Sequence, residues 1–193
     1  MNARERVLAQ LRAQSLEPAP LPALHGNWIE YPDPLAQFGA ALTRAAGSLV
    51  LVEPGQLQAT LAQLPVVQGA RRCCSLVAAL TGNVGPASDP HGFADLDVLV
   101  IEAAFGVAEN GAVWLGEQAA PVRAGLFLTQ HLVVLLQRTA LLHNLHQAYE
   151  RLATSVGVTG YGCFISGPSK TADIEQALVV GAHGPRSLTL LAY

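Results

Sequence analysis

The stretch Leu96-Asp-Val-Leu-Val-Ile101 is an apolar run broken only by Asp97, and Asp95 and Glu102 add to its acidic edge. A short apolar run of this kind predicts a buried β-strand in a sheet with both faces covered. Similar runs alternate with helical patterns along the chain, which predicts an α/β fold with a mostly parallel central sheet covered by helices. The predicted strands are Ser48–Val52, Leu96–Ile101, Ala112–Leu115, Leu132–Leu136, Cys163–Ser166 and Ser187–Leu191, and the predicted helices are Leu35–Ala46, Gln56–Leu64, Ala140–Ala153 with Thr139 as its N-cap, and Ala172–Val180.

The first 34 residues differ from the rest of the chain. Residues 2–14 show the spacing of a short amphipathic helix, and a proline-rich stretch follows. Trp28 and Tyr31 within that stretch are predicted to pack it onto the body of the protein. We therefore expect an N-terminal arm at 1–34 and one α/β domain at 35–193.

The composition argues against several classes of protein. Of the 193 residues, 51% are hydrophobic and only 13% are charged, so a large buried core is expected rather than a disordered chain. The formal net charge is -3 with 11 Lys and Arg residues, which disfavours a nucleic-acid partner because such proteins need a basic face. No apolar run reaches the about 18 residues that span a bilayer, and the charged N-terminus does not resemble a secretory signal. These features predict a cytoplasmic protein.

The three cysteines and one histidine pair do not predict a metal site. Cys73 and Cys74 are adjacent, whereas zinc and iron-sulfur ligands prefer spacings such as C-x-x-C. The cysteines are therefore interpreted as small buried hydrophobic residues. His143 and His146 share a helical spacing but have no further ligand motif, so a solvated helix face is expected for them.

The segment Ser166-Gly-Pro-Ser-Lys-Thr-Ala-Asp-Ile-Glu175 lies between a predicted strand and a predicted helix, and Lys170 is the only lysine in the chain. With Thr171 as the helix N-cap and Asp173 in the first turn, backbone N–H groups, hydroxyls and one ammonium group would converge there. That combination is typical of a site for a small anion or a phosphate. The alternative is an ordinary loop with a solvated lysine. The candidate ligand-binding residues are Ser166, Gly167, Ser169, Lys170, Thr171 and Asp173.

The segment Gly181-Ala-His-Gly-Pro-Arg186 follows the same predicted helix. His183 and Arg186 are candidate ligand-binding residues if this turn folds back toward Lys170. The alternative is a capping segment, in which Gly181 ends the helix and His183 interacts with the last carbonyl groups.

Glu109 is the candidate catalytic residue, with Asn110 and Gly111 beside it as candidate ligand-binding residues. Asn110-Gly111 favours a tight turn, and Glu109 lies between the apolar segments Val107-Ala108 and Ala112–Leu115. A carboxylate between apolar segments needs a dedicated hydrogen-bond donor or a changed protonation equilibrium, and both are typical of working groups. The alternative is an exposed glutamate at a hairpin tip.

Several of these segments resemble one protein family. Phe105-Gly-Val-Ala-Glu-Asn-Gly-Ala-Val-Trp114, Thr129–Val134, Ser166–Glu175 and His183-Gly-Pro-Arg186 are similar to segments of the lactate-utilisation (LUD) domain family, and the similarity is greatest to its short branch. The resemblance covers about residues 35–193. It implies a fold of the NagB/RpiA/CoA-transferase type.

The resemblance also implies a pathway, the oxidation of L-lactate to pyruvate with partner proteins that hold iron-sulfur clusters. No cofactor is then expected on this chain. In addition, Ala108-Glu-Asn-Gly111 is similar to the segment around the nucleophilic glutamate of coenzyme A transferases, with Ala108 where those enzymes have serine.

Three functions stay open at this stage. The first is a non-redox subunit that binds a small anion and docks onto iron-sulfur partners. The second is an enzyme acting on a coenzyme A ester or a phosphosugar, with Glu109 as nucleophile or base. The third is a structural or regulatory interaction module that uses the apolar arm around Trp28 and Tyr31.

Overall fold

The computed structural model describes residues 2–14, 19–20, 26–154, 162–172 and 176–193. The helices are α1 (Ala3–Ala13), α2 (Pro34–Arg44), α3 (Leu57–Gln63), α4 (Pro65–Gln68), α5 (Gly125–Leu128) and α6 (Leu145–Thr154), with short 3₁₀ turns at Pro90–Phe93, Glu117–Val122 and Arg138–Ala140. The strands are β1 (Ser48–Leu51), β2 (Cys73–Ser75), β3 (Val98–Glu102), β4 (Phe105–Val107), β5 (Ala112–Leu115), β6 (His131–Leu136), β7 (Leu141–Leu142), β8 (Cys163–Ile165), β9 (Lys170–Thr171), β10 (Val179–Val180) and β11 (Ser187–Ala192). Among the helices of the described part, none has the length and apolar character needed to cross a membrane.

The centre of the protein is a parallel sheet with the strand order β1-β11-β6-β3-β2. Successive side chains of a strand point to opposite faces, so β3 contributes to both cores. Val98 and Val100 pack on one face, and Leu99 and Ile101 pack on the other. All four side chains are buried, which confirms that this apolar run is a strand covered on both sides.

Helices cover both faces of the central sheet. Phe38 and Leu42 of α2 are fully buried in one core, and Leu61 of α3 is fully buried in the other. Asp33 caps α2 by accepting a hydrogen bond from the N–H of Ala36. The predicted α/β class, with a mostly parallel central sheet covered by helices, is confirmed.

A second, four-stranded sheet with the order β7-β4-β5-β8 packs beside the first. β4 and β5 form an antiparallel hairpin, and β8 pairs antiparallel with β5. Two strands that the sequence predicted, Ala112–Leu115 and Cys163–Ser166, therefore lie in this smaller sheet.

The predicted start of the helix at Ala140 is wrong. Thr139 lies in a 3₁₀ turn, and Leu141–Leu142 pair with β4 as a short strand. The helix begins only at Leu145, where the side chain of Asn144 accepts a hydrogen bond from the N–H of Gln147. The apolar pattern continues through both segments, so periodicity alone does not separate the strand from the helix.

The predicted helix at Ala172–Val180 is also wrong in its described part. Val179 and Val180 pair antiparallel with Thr171 and Lys170 as a two-stranded ribbon, so Thr171 is a strand residue and not a helix N-cap. Two adjacent β-branched residues favour the extended backbone. Gly181 then turns the chain with φ +77°. Asp173 lies outside the described residues.

The cysteines of β2 lie in different cores. Cys73 packs on one face of the central sheet and Cys74 on the other, and both are buried. Burial raises the pKa of both thiols. Their interpretation as buried hydrophobic residues is confirmed, and Cys163 is a half-buried residue that packs against the core that holds Cys74.

Two glycines bring separate loops against the C-terminal end of α2. Gly111 has φ +68°, and a Cβ there would lie 2.5 Å from the backbone nitrogen of Leu42. Gly167 has φ +72°, and a Cβ there would overlap the carbonyl oxygen of Ala45. Only glycine allows both the left-handed backbone and this close approach.

We predict that Gly167→Ala destabilises the protein by more than about 2 kcal/mol, because it adds a backbone clash to the strain of a positive φ. Gly55→Ala is the matched control, since Gly55 has φ +82° but open space around its Cα. It is expected to cost only about 1 kcal/mol. Urea denaturation of both variants measures the difference, and equal losses of stability would show that the contact with α2 is unimportant.

Candidate functional site

Two of the predicted site segments meet at the C-terminal end of α2. The Oγ of Ser166 donates a hydrogen bond to the carbonyl oxygen of Asn110 at 2.9 Å. The Nζ of Lys170 donates to the carbonyl oxygen of Ala45 at 2.8 Å. Asn110, Ser166, Gly167 and Lys170 are therefore neighbours in space, although more than fifty residues separate the two loops in sequence.

The contact of Lys170 gives this residue a structural role. The C-terminal end of a helix carries a partial negative charge, and an ammonium group there satisfies a carbonyl that the helix leaves unpaired. The sequence prediction placed Lys170 beside a helix N-terminus instead. Because Lys170 and Thr171 themselves form β9, the described part supplies no helix N-terminus at Thr171.

Glu109 is exposed, and its carboxylate has a dedicated donor. Its Oε2 accepts a hydrogen bond from the N–H of Leu145, the first residue of α6, at 2.9 Å. A carboxylate at a helix N-terminus is stabilised by the helix dipole. Next to it, the Oδ1 of Asn110 accepts from the N–H of Ala112 and holds the turn between β4 and β5. Glu109 thus ties the hairpin to α6.

The turn after β10 folds back toward the Lys170 loop. The N–H of Gly181 donates to the carbonyl of Ser169, and the N–H of Ser169 donates to the carbonyl of Pro185, both at 2.9 Å. His183 is exposed on this turn. The side chain of Arg186 instead lines a groove at the amino edge of the central sheet.

That groove has a volume of about 690 Å³, and Arg71, Arg72 and Asp97 line it together with Arg186. The backbone N–H groups of Arg72 and Arg71 both donate to Asp97 Oδ2 at 2.9 Å, and they hold the pKa of this carboxyl below its usual range. Burial, followed by the charge of Arg186, lowers the pKa of His131. Asp97 thus fixes the chain that enters β2.

A second cavity, of about 420 Å³, lies at the opposite edge of the sheet, where the parallel strands have their carboxyl ends. Its polar side chains are Glu102 at the end of β3, Gln137 just after β6 and Arg151 of α6. Ligands of open parallel sheets bind in crevices at this edge.

Glu102 is held by donors that follow two other strands of the sheet. The hydroxyl of Tyr193, just after β11, donates to Glu102 Oε1 at 2.5 Å, and Nε2 of Gln137 donates to the same oxygen at 3.1 Å. Burial and the bond to Glu102 raise the pKa of Tyr193, so its hydroxyl stays protonated and continues to donate.

Sequence reasoning did not select this cavity. Glu102 was recognised only as part of the acidic edge of a buried strand. A carboxylate directly after such a strand is a usable signal, because it must lie at the carboxyl edge of the sheet. Gln137, Arg151 and Tyr193 carry no local motif, and only the folded chain brings them to Glu102.

Comparison with known proteins agrees with this architecture. A sequence model of the LUD domain matches residues 91–193, which is more than half of the chain. The chain belongs to the LUD domain family. The matched region holds every residue of the cavity at the carboxyl edge that is named above, and also Glu109, Lys170 and Arg186. The resemblance inferred from the sequence is thus confirmed.

Several relatives of this LUD protein cover different shares of it. "Lactate utilization protein C" of Deinococcus radiodurans is 26% identical over 96% of this chain and 90% of that protein. "Lactate utilization protein C" of Bacillus pumilus is 37% identical over 97 residues, 48% of this chain. That match spans only 40% of the Bacillus pumilus protein, and the match to the Shouchella clausii protein of the same name also spans 40% of it.

One solved structure is similar in fold. It is the crystal structure of a DUF162 family protein from Deinococcus radiodurans, with a TM-score of 0.65 and 18% sequence identity. The superposition covers 82% of this chain and 95% of that one. This likeness supports the fold expected from the family resemblance, the NagB/RpiA/CoA-transferase type.

The N-terminal arm of this LUD protein is attached to the start of α6. Trp28 stacks on His146 with 3.5 Å between the ring centroids and 6° between the planes. The N–H of Tyr31 donates to Nδ1 of His143, and Nδ2 of Asn144 donates to the carbonyl of Ile29. The predicted packing of Trp28 and Tyr31 is confirmed, whereas the solvated face expected for His143 and His146 is wrong.

We predict that His146→Ala loosens this arm, because the substitution removes the ring on which Trp28 stacks. The variant is expected to be cleaved several-fold faster at Glu30 by a glutamate-specific protease. His183→Ala is the control, because His183 is exposed on a different turn. An unchanged cleavage rate in His146→Ala would mean that the stacking does not hold the arm.

We also predict that Asp97→Asn lowers stability at neutral pH and that this deficit shrinks in acid. Because the folded-state pKa of Asp97 is lowered, its stabilising effect is present above the unfolded-state pKa of about 3.9. The effect is lost as the pH falls through the lower folded-state value. Urea denaturation from pH 7 to pH 3 measures this, with Asp95→Asn as the control because Asp95 makes only a long surface ion pair with Arg72. A deficit that does not change with pH would contradict the assignment.

Proposed function

We propose that this LUD protein takes part in lactate utilisation, as a non-redox subunit that acts with partner proteins carrying iron-sulfur clusters. The observation that carries the proposal is family membership together with a relative named for lactate utilisation that matches nearly the whole chain. The pathway in question is the oxidation of L-lactate to pyruvate, which the resemblance of the sequence implied.

The placement of the cysteines supports the assignment of the clusters to partner proteins. Cys73 and Cys74 are consecutive residues of a central strand, so their side chains point into opposite cores. A cluster held by both would require β2 to leave the sheet. Cys163 lies on β8, in the smaller sheet.

The anion site at Ser166–Thr171 remains part of the proposal as a finer prediction. Its support is the meeting of Asn110, Ser166 and Lys170 at one place. The hydrogen bond from Lys170 to Ala45 is the competing structural explanation. Lys170→Met distinguishes the two when its effect on growth is compared with its effect on stability.

We expect that deletion of the gene in the native host stops growth on L-lactate and leaves growth on pyruvate intact. The wild-type chain should restore growth on lactate, and a tagged copy should purify from lactate-grown cells with stoichiometric partners and iron. Growth of the deletion strain on lactate at the wild-type rate would contradict the proposed role in lactate utilisation. An iron-free eluate without partners would contradict the proposal that the protein is a subunit of a larger complex.

The variant Cys163→Ala tests whether this chain contributes a ligand to the iron that purifies with it. Because the clusters belong to the partners in this proposal, the variant is expected to restore growth and to purify with the same amount of iron. If iron is lost from a complex that otherwise assembles, Cys163 is a ligand and the non-redox assignment is wrong.

A further inference from the structure

The cavity at the carboxyl edge of the central sheet presents groups of opposite charge on its walls. Glu102 contributes a carboxylate, and Arg151 contributes a guanidinium group. The intervening walls include the small or apolar side chains of Leu76, Ala104 and Ala140. The cavity has a volume of about 420 Å³ and a lining that is polar and apolar in about equal parts, which is the size of a small-molecule site.

The position of Glu102 is set by the sheet. Its Oε1 accepts hydrogen bonds from Tyr193 and Gln137, which follow β11 and β6. The ends of those strands are held in turn by Arg138, whose guanidinium group donates to the carbonyls of Val52 and Ala192. A carboxylate supported in this way is a preorganised acceptor for a ligand that carries a hydroxyl or an ammonium group.

Arg151 enters the cavity from α6, which packs on the smaller sheet. Its Cζ lies 5.1 Å from the centroid of the Phe105 ring, a distance at which the ring attracts the cation. A planar guanidinium group binds carboxylates in a bidentate manner.

We propose that this cavity binds a short 2-hydroxycarboxylate, with the ligand carboxylate on Arg151 and the ligand hydroxyl donating to Glu102. The choice of a hydroxyl over an ammonium group rests on the proposed role in lactate utilisation. The two polar walls recognise both ends of such an acid, and the apolar wall accommodates its short carbon chain.

The arrangement also predicts selectivity between a 2-hydroxy acid and the corresponding 2-oxo acid. A 2-oxo acid has no proton to give to Glu102, so its carbonyl oxygen would face a carboxylate oxygen. Two acceptors that face each other without a proton between them disfavour binding. L-lactate is therefore expected to bind more tightly than pyruvate, and propionate, which lacks the oxygen, more weakly than L-lactate.

The test is isothermal titration calorimetry on the whole 193-residue chain with L-lactate, D-lactate, pyruvate, propionate and L-alanine. We expect saturable binding of L-lactate that is at least about tenfold tighter than that of pyruvate or propionate. Arg151→Gln should weaken the binding of L-lactate by roughly 10- to 100-fold, the usual effect of losing a hydrogen bond between charged groups.

The effect of Glu102→Gln is measured as the preference for L-lactate over pyruvate, which the loss of a purely structural residue would not change. The amide that this substitution introduces is able to donate a hydrogen bond, so the preference for L-lactate over pyruvate should disappear in the variant. Glu117→Gln and Arg6→Gln are the controls, because both side chains are exposed outside the cavity. Circular dichroism and thermal unfolding show whether each variant folds.

Several outcomes would overturn the inference. They are the absence of saturable L-lactate binding, equal affinity for pyruvate or propionate, tighter binding of L-alanine, and unchanged binding in folded Arg151→Gln and Glu102→Gln proteins. The growth experiment reports on the proposed function separately. A lactate growth defect without binding rejects only the cavity site, and binding without a growth defect rejects only the role in lactate utilisation.

Discussion

Strand β6 pairs in parallel with β3 on one side and with β11 on the other, and its residues Leu132–Leu136 are buried on both faces. This ladder aligns the strands of the central sheet. The two cores lie above and below it, and the loops that follow its strands meet at one edge of the sheet. Since neighbouring parallel strands fix each other's register, Glu102, Gln137 and Tyr193 arrive at the same place without any motif that links them.

A second constraint acts where loops meet the end of α2. Gly111 and Gly167 allow the backbone to approach this helix end more closely than any side chain would permit. The approach places Ser166 against Asn110 and Lys170 against Ala45. Residues that looked like parts of a ligand site in the sequence thereby acquire structural partners. The helix end that they contact is a structural reason for their polar character, beside the proposed anion site.

Much of the fold was accessible from the sequence. The buried strand at Leu96–Ile101, the helix near Leu35–Ala46 and the closing strand at Ser187–Leu191 follow from apolar periodicity. The start of α6 and the two-stranded ribbon of β9 and β10 could not be predicted from the sequence. In both places a local pattern was compatible with helix and strand alike, and pairing with a distant segment decided between them. For the candidate sites, the sequence placed Glu102 at the end of a strand, but it gave no sign that Arg151 faces the same cavity.

The sequence by itself determined the class of fold and the family, because burial periodicity and the local motifs of residues 91–193 are properties of the chain that need no partner. The tertiary structure alone decided which polar residues act together. Lys170 donates a hydrogen bond at a helix C-terminus. His143 and His146 contact the N-terminal arm, and Arg151 lines the same cavity as Glu102. The physical reason is that hydrogen bonds and charge pairs depend on distances between segments, which sequence spacing does not encode.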